Sequence, residues 1–116
     1  KYVYQNNAER SVARNNGIKH ASSDWICFLD SDDAFRSNHL EILHERIIIN
    51  QDRRKDISFY VTGQETINTT TGEKKILNNK IPKKYKPFFF ANGSIVPGRV
   101  CISKKYLTNI SLMSQL

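Results

Sequence analysis

The chain has 116 residues and a formal net charge of +7, from 18 Lys and Arg against 11 Asp and Glu. This length predicts a single, partial domain over residues 1–116 with a buried core, small for a nucleotide-dependent enzyme. No stretch approaches the roughly 20 apolar residues of a membrane-spanning helix. Because the chain opens on strand-like residues at Lys1 and stops at Leu116 without a clear terminal element, we expect a fragment of a longer protein.

The positive charge is unevenly distributed. Residues 1–56 hold nine Lys and Arg and nine Asp and Glu, whereas residues 57–116 hold nine Lys and Arg against Glu65 and Glu73 alone. The excess therefore lies in the second half. It indicates either an anionic partner (phosphate, a phospholipid surface or nucleic acid) or a merely solubilising surface.

The first elements read as strand, helix, strand. We predict a strand at Lys1–Gln5, a helix over about 8–22 with Asn7 as its N-cap, and a second strand starting at Trp25. Gly17 inside the helix costs about 1 kcal/mol relative to Ala, which favours a role in close packing or a local irregularity. A strand, helix, strand unit predicts a right-handed crossover and a parallel sheet.

The second strand carries the most informative stretch of the sequence. Five apolar residues from Trp25 to Leu29 run directly into Asp30, Asp32 and Asp33. An uninterrupted apolar run of this length predicts a strand buried on both faces, and the carboxyl end of such a strand is where open α/β folds bind ligands. Clustered carboxylates suit Mg²⁺, which shares its shell with water and phosphate. The alternative is a solvated acidic turn that caps the next helix.

A helix from Asn38 to about Asn50 follows the acids. Asn38 with Glu41 three residues later has the form of a capping box. His39 and His44 are not at metal-ligand spacing with a third residue, so we expect both on the solvated helix face. Apolar residues recur at helical spacing and predict a core-facing stripe: Leu40, Leu43 and Ile47.

The second half predicts strands and one long loop. Ile57–Val61 reads as a strand, and residues 65–77 as a hairpin around a Thr71-Gly72-Glu73 turn. Residues 80–90 mix Lys, Phe and Pro, which suits either a membrane interface, a phosphate-bearing acceptor, or a surface loop whose Phe side chains pack inward. Residues 95–102 predict a turn feeding a strand, and residues 103–107 the start of a helix.

Two cysteines complete the set of reactive side chains. Cys27 lies in the apolar strand and Cys101 in another apolar segment, without metal-knuckle spacing or a disulfide framework. The sequence favours buried structural thiols in a reducing compartment.

Residues 7–33 resemble the family 2 inverting glycosyltransferases with the GT-A fold. The resemblance rests on Ala13-Arg14-Asn15, Gly17-Ile18, Ala21 and an apolar strand ending in Asp30-Ser31-Asp32-Asp33. It implies a mixed, mostly parallel α/β sheet flanked by helices. It further implies transfer of a sugar from a nucleotide-diphosphate donor to an acceptor hydroxyl with inversion, in cell-surface polysaccharide biosynthesis.

The same resemblance assigns roles to the acids. In such enzymes the Asp-x-Asp motif holds Mg²⁺ or Mn²⁺, which neutralises charge on the departing nucleotide. Asp32 is implied as the first metal ligand, with Asp30 and Asp33 in the same metal-binding set, and Asp30 also as a contact to the ribose or sugar. Arg14 is implied near the donor. There it either orients the acids, binds the nucleotide, or forms a purely structural ion pair with Asp30 or Asp32.

Further expectations concern partners and location. The resemblance implies a saccharide or lipid-linked acceptor, no nucleic acid, and a cytoplasmic protein that contacts the inner face of the membrane. Glu9 stands where the family often has Gly. The N-terminal nucleotide-binding strands and the later catalytic base of the family are not in this sequence, so the catalytic residue stays unassigned and we expect the chain alone to be inactive.

Three other interpretations stay open. A haloacid-dehalogenase-like phosphatase also ends an apolar strand in Asp-x-Asp, but it usually continues with Thr or Val where this chain has Ala34. A basic polyanion-binding module would bind nucleic acid in a salt-dependent way. A truncated, non-catalytic remnant would keep the fold and bind no nucleotide diphosphate.

Overall fold

The structure is a computed structural model that describes residues 1–51, 57, 59–78 and 97–109. Its helices are α1 (Arg10–His20), α2 (His39–Gln51) and α3 (Lys104–Asn109). Its strands are β1 (Trp25–Cys27), β2 (Phe59–Val61), β3 (Gln64–Ile67), β4 (Lys74–Leu77) and β5 (Val100–Ser103), and a 3-10 turn at Pro97–Arg99 precedes β5. The predicted basic and aromatic loop at 80–90 lies outside the described residues, as do most of 52–58.

The main sheet has β5 in the centre, with β1 on one side and β2 on the other. Both neighbours pair with β5 in the antiparallel sense, Ile26 opposite Ile102 and Phe59 opposite Ile102. The α/β class is therefore confirmed, whereas the parallel pairing predicted for this sheet is not found among the described strands. β1 and β2 do run in the same direction, but β5 lies between them. An apolar run predicts burial and not the direction of the neighbouring strand.

The predicted N-terminal strand at Lys1–Gln5 is wrong. These residues have no regular secondary structure, and Tyr2 and Tyr4 are 87% and 73% exposed. A strand exists only where its backbone groups pair with a neighbour, and no described strand pairs with this segment. The predicted βαβ crossover therefore does not form in the described part of the chain.

Helices cover both faces of the sheet. On one face, Ile18 of α1 and Leu107 of α3 pack with Ile26, Val100 and Ile102. Side chains alternate along a strand, so Trp25, Cys27, Tyr60 and Cys101 lie on the other face. There the Trp25 and Tyr60 rings lie 5.3 Å apart, and the Tyr60 hydroxyl donates to the backbone oxygen of Arg46 in α2 at 3.4 Å.

The helix boundaries differ modestly from the predictions. Glu9, not Asn7, is the N-cap of α1, and no side chain caps this end. An added Cβ on Gly17 would meet nothing within 4 Å among the described residues outside the helix, so close packing does not explain this glycine.

The apolar stripe predicted for α2 is only partly buried. Leu43 is buried and Ile47 half-buried, but Leu40 is 58% exposed. The prediction of a solvated His39 is only partly confirmed. The ring is half-buried and stacks on Phe35 with centroids 4.1 Å apart, and burial lowers the pKa of His39. His44 is exposed, as predicted.

The predicted hairpin is confirmed. β3 and β4 pair in antiparallel register from Gln64 opposite Leu77 to Ile67 opposite Lys74. Gly72 has a φ of 73°, which glycine adopts without strain. The Asn68 side chain closes the turn by accepting hydrogen bonds from the backbone N–H groups of Thr70 and Thr71. Within the described ranges, no helix is long and apolar enough to cross a membrane.

Candidate functional site

The three carboxylates sit on a tight turn directly after β1. The strand ends at Cys27, and Phe28 still packs against the core while Leu29 is 51% exposed. The backbone N–H of Asp33 then donates to the carbonyl of Asp30 at 3.1 Å, which closes the turn. The prediction that the acids follow a strand is confirmed, but the strand is shorter than predicted and only Ile26 in it is buried, so burial on both faces is not found. We call residues 30–33 the acidic turn.

Asp30 is held by an ion pair from α1. The Nη2 atom of Arg14 lies 2.8 Å from one carboxylate oxygen of Asp30 and 3.1 Å from the other. The two side chains are 19% and 39% exposed. Among the roles left open for Arg14, the ion pair with Asp30 is present, and it fits both orientation of the acid and a purely structural pair. The contact joins the middle of α1 to the acidic turn and offsets one of its negative charges.

Asp32 and Asp33 are both exposed. The Asp32 carboxylate receives no hydrogen bond and no ion pair from the described residues, so its charge is open to solvent and ligands. Asp33 lies near the 3-10 turn, where a Cβ added to Gly98 would be 3.6 Å from its Oδ2 atom and 3.9 Å from the carbonyl of Phe28. The turn before β5 therefore forms one wall beside the acids.

Arg99 holds the 3-10 turn in place beside the acids, and the sequence alone does not identify this role of Arg99. Its side chain is 5% exposed, and its Nε atom donates to the carbonyl of Thr62 at 2.9 Å. In return the backbone N–H and hydroxyl of Thr62 donate to the carbonyl of Arg99, at 2.8 and 3.2 Å. These bonds tie the 3-10 turn to the end of β2. The Pro-Gly pair signalled a turn, but the partner of Arg99 depends on strand order, which the sequence does not reveal.

A second ion pair connects the segment after the acidic turn to the hairpin. Arg36 donates to the Glu65 carboxylate, and Lys74 lies 3.9 Å from the same group. Glu65 is one of the two acids of the second half of the chain, and it is engaged by these cations. Glu73 is exposed in the hairpin turn. No described contact joins Glu65 or Glu73 to the acidic turn.

The acidic turn does not form a closed metal cage. Among the described residues, no three side chains of His, Cys, Asp or Glu are grouped so that they could hold a metal ion by themselves. Asp30 is occupied by Arg14, which leaves the exposed carboxylates of Asp32 and Asp33. Such a donor set fits Mg²⁺ or Mn²⁺ that takes one or two protein carboxylates and completes its shell with water and phosphate.

The fold and this site define an α/β protein that presents carboxylates directly after a flanking strand of its main sheet. The sequence model of the family described as glycosyl transferase family 2 matches residues 1–107. The chain belongs to this family, and the resemblance noted in the sequence is confirmed.

Curated relatives match over a shorter segment. The chain is 38% identical over 47 residues to the glycosyltransferase GlyA of Streptococcus pneumoniae, which covers 40% of this chain and 7% of that protein. It is 48% identical over 42 residues to an uncharacterized glycosyltransferase of Rickettsia conorii, covering 36% of the chain and 7% of the relative. An uncharacterized glycosyltransferase of Rickettsia bellii is 49% identical over 41 residues, covering 35% and 6%. The matched segments thus span a small part of each relative. No solved structure matches the chain significantly.

Proposed function

We propose that the protein containing this chain transfers a sugar from a nucleotide-diphosphate donor to an acceptor hydroxyl, with inversion and with the help of a divalent metal ion. The family match over residues 1–107 supports sugar transfer in general. The observation that carries the finer proposal is the exposed Asp32 carboxylate, free of described partners, beside an Asp30 that Arg14 anchors. We further propose that the whole domain has the GT-A fold, in which additional strands extend the described sheet.

The residues of the acidic turn have separate tasks in this proposal. Asp32 holds Mg²⁺ or Mn²⁺, Asp33 supports it, and Asp30 contacts the ribose or sugar. Arg14 keeps the Asp30 carboxylate in place. The carboxylate therefore loses less conformational entropy when the donor binds. The metal, when bound, offsets negative charge on the departing diphosphate. The general base toward the acceptor is not assigned to a residue of this chain.

The acceptor and the location belong to the same proposal. We propose a saccharide or lipid-linked acceptor and a cytoplasmic protein at the inner face of the membrane. The excess of positive charge in residues 57–116 supports an anionic surface or acceptor phosphate as the neighbour of this half.

The experiment is Asp32→Ala in the full-length protein. Loss of a metal ligand is expected to lower Mn²⁺-dependent hydrolysis of the donor by about a hundredfold or more, since the metal contributes several kcal/mol to stabilising the leaving group. Asp24→Ala is the matched control, because Asp24 is an exposed acid before β1, away from the acidic turn, and activity should not change.

The outcomes separate the competing functions. Unchanged hydrolysis in Asp32→Ala would remove Asp32 from the metal site. A wild-type protein that binds no nucleotide diphosphate at all would favour a non-catalytic remnant of the fold. Salt-dependent binding of polyanions without any metal-dependent donor binding would favour the basic module instead.

A further inference from the structure

The fold places the only two cysteines of the chain directly opposite each other. Cys27 of β1 and Cys101 of β5 are register partners in the antiparallel ladder. Residues directly opposite on paired strands point to the same face, with Cα atoms about 4.5 or 5.5 Å apart. A disulfide accommodates Cα separations of about 4.4–6.8 Å. The two strands therefore need not separate for the sulfur atoms to bond.

We propose that Cys27 and Cys101 are an oxidisable dithiol that forms a disulfide across β1 and β5. The bond would join Cys27, three residues before the acidic turn, to β5, the strand that follows the 3-10 turn at Pro97–Arg99. This site is independent of the proposed sugar transfer, because neither thiol is among the residues assigned to the donor or metal.

The two thiols are unequally accessible, which predicts the order of reaction. Cys101 is 2% exposed, since it lies in the central strand on the face of the Trp25 and Tyr60 rings. Cys27 lies in a flanking strand and is half-buried. Hydrogen bonding between the thiols lowers the pKa of Cys27 and raises the pKa of Cys101, and burial raises the pKa of Cys101 further. Cys27 is thus the attacking thiolate and Cys101 the resolving thiol.

The reaction balances with a low-molecular-weight disulfide as the oxidant. The Cys27 thiolate attacks one sulfur of glutathione disulfide, forms a mixed disulfide and releases one glutathione thiolate. Cys101 then loses its proton to solvent and attacks the Cys27 sulfur, and a second glutathione thiolate leaves. Two electrons pass from the protein thiols to the glutathione pair. Reduced thiol in excess reverses both steps.

The test uses the full-length protein, equilibrated with glutathione buffers of increasing oxidation in native conditions and in concentrated urea. Free thiols are alkylated after acid quenching, and peptide masses are mapped. We expect a Cys27 peptide joined to a Cys101 peptide, with an equilibrium constant at least about tenfold larger in the native protein than in urea, because the register holds the thiols together only in the folded state. Equal constants, or separate glutathione adducts without the joined peptide, would overturn the proposal.

Single variants test the order of attack. In Cys101→Ala the mixed disulfide is expected to accumulate on Cys27, whereas in Cys27→Ala the buried Cys101 should stay reduced under the same buffer. Equal modification of Cys101 in the second variant would contradict the assignment of Cys27 as the attacking group. The wild-type measurement decides the disulfide itself even if a variant fails to fold.

Discussion

The acidic turn and the β3–β4 hairpin each carry a carboxylate that pairs with an arginine from another segment, yet the two pairs differ in their surroundings. Arg14 and Asp30 are 19% and 39% exposed and lie beside a buried core. Arg36 is 72% exposed where it contacts Glu65 of the hairpin, so this pair differs in its arginine, whereas Glu65 at 21% is less exposed than Asp30. Because an ion pair of a solvated arginine contributes little, the comparison predicts that the Arg14–Asp30 pair is the stronger of the two. Three substitution pairs test the comparison.

The largest expected difference is in side-chain packing. Ile102 is 3% exposed between Ile26 and Phe59, so Ile102→Ala should lower the free energy of unfolding by about 2–5 kcal/mol. Ile76 of the hairpin is 65% exposed, and Ile76→Ala should cost less than about 1 kcal/mol. Urea unfolding followed by circular dichroism measures both. Equal losses would mean that the hairpin is as well packed as the central strand.

The difference between local signals and contacts of distant segments explains which features the sequence predicts. The apolar run before Asp30 and the Gly72 turn are local signals, and both gave correct elements at nearly correct positions. The partners of each strand are not local. The central place of β5, the register of Cys27 with Cys101 and the link from Arg99 to Thr62 depend on how distant segments meet.

The errors have the same physical origin. The N-terminal strand was predicted from Tyr2-Val3-Tyr4, residues that favour strands wherever a partner is present, and the described chain offers none. For the site, the apolar run indicated the acids and the family resemblance indicated Arg14, and their roles stay predictions. Only the structure distinguishes the paired Asp30 from the exposed Asp32.

The next largest expected difference in stability comes from replacing a glycine in the hairpin or in α1, because the two glycines differ in backbone conformation. Gly72 has a φ of 73°, so Gly72→Ala should destabilise the hairpin by about 1–2 kcal/mol. Gly17 lies inside α1, and an added Cβ would meet no described residue outside the helix within 4 Å, so Gly17→Ala should stabilise the chain by about 0.5–1 kcal/mol. Thermal unfolding of the two variants should move the midpoint in opposite directions. A destabilised Gly17→Ala would show that this glycine does serve a close contact.

The smallest effect concerns the two ion pairs themselves. A double-mutant cycle with Arg14→Ala and Asp30→Ala should give a coupling energy of about 1 kcal/mol, because one guanidinium nitrogen reaches both oxygens of a partly buried carboxylate. The cycle with Arg36→Ala and Glu65→Ala should give less than about 0.5 kcal/mol, since Arg36 is mostly solvated. Added salt should reduce the second coupling more strongly than the first. Equal couplings with equal salt dependence would mean that the core behind the acidic turn does not strengthen its ion pair, and Asp30 would then be no better positioned for a ligand than Glu65.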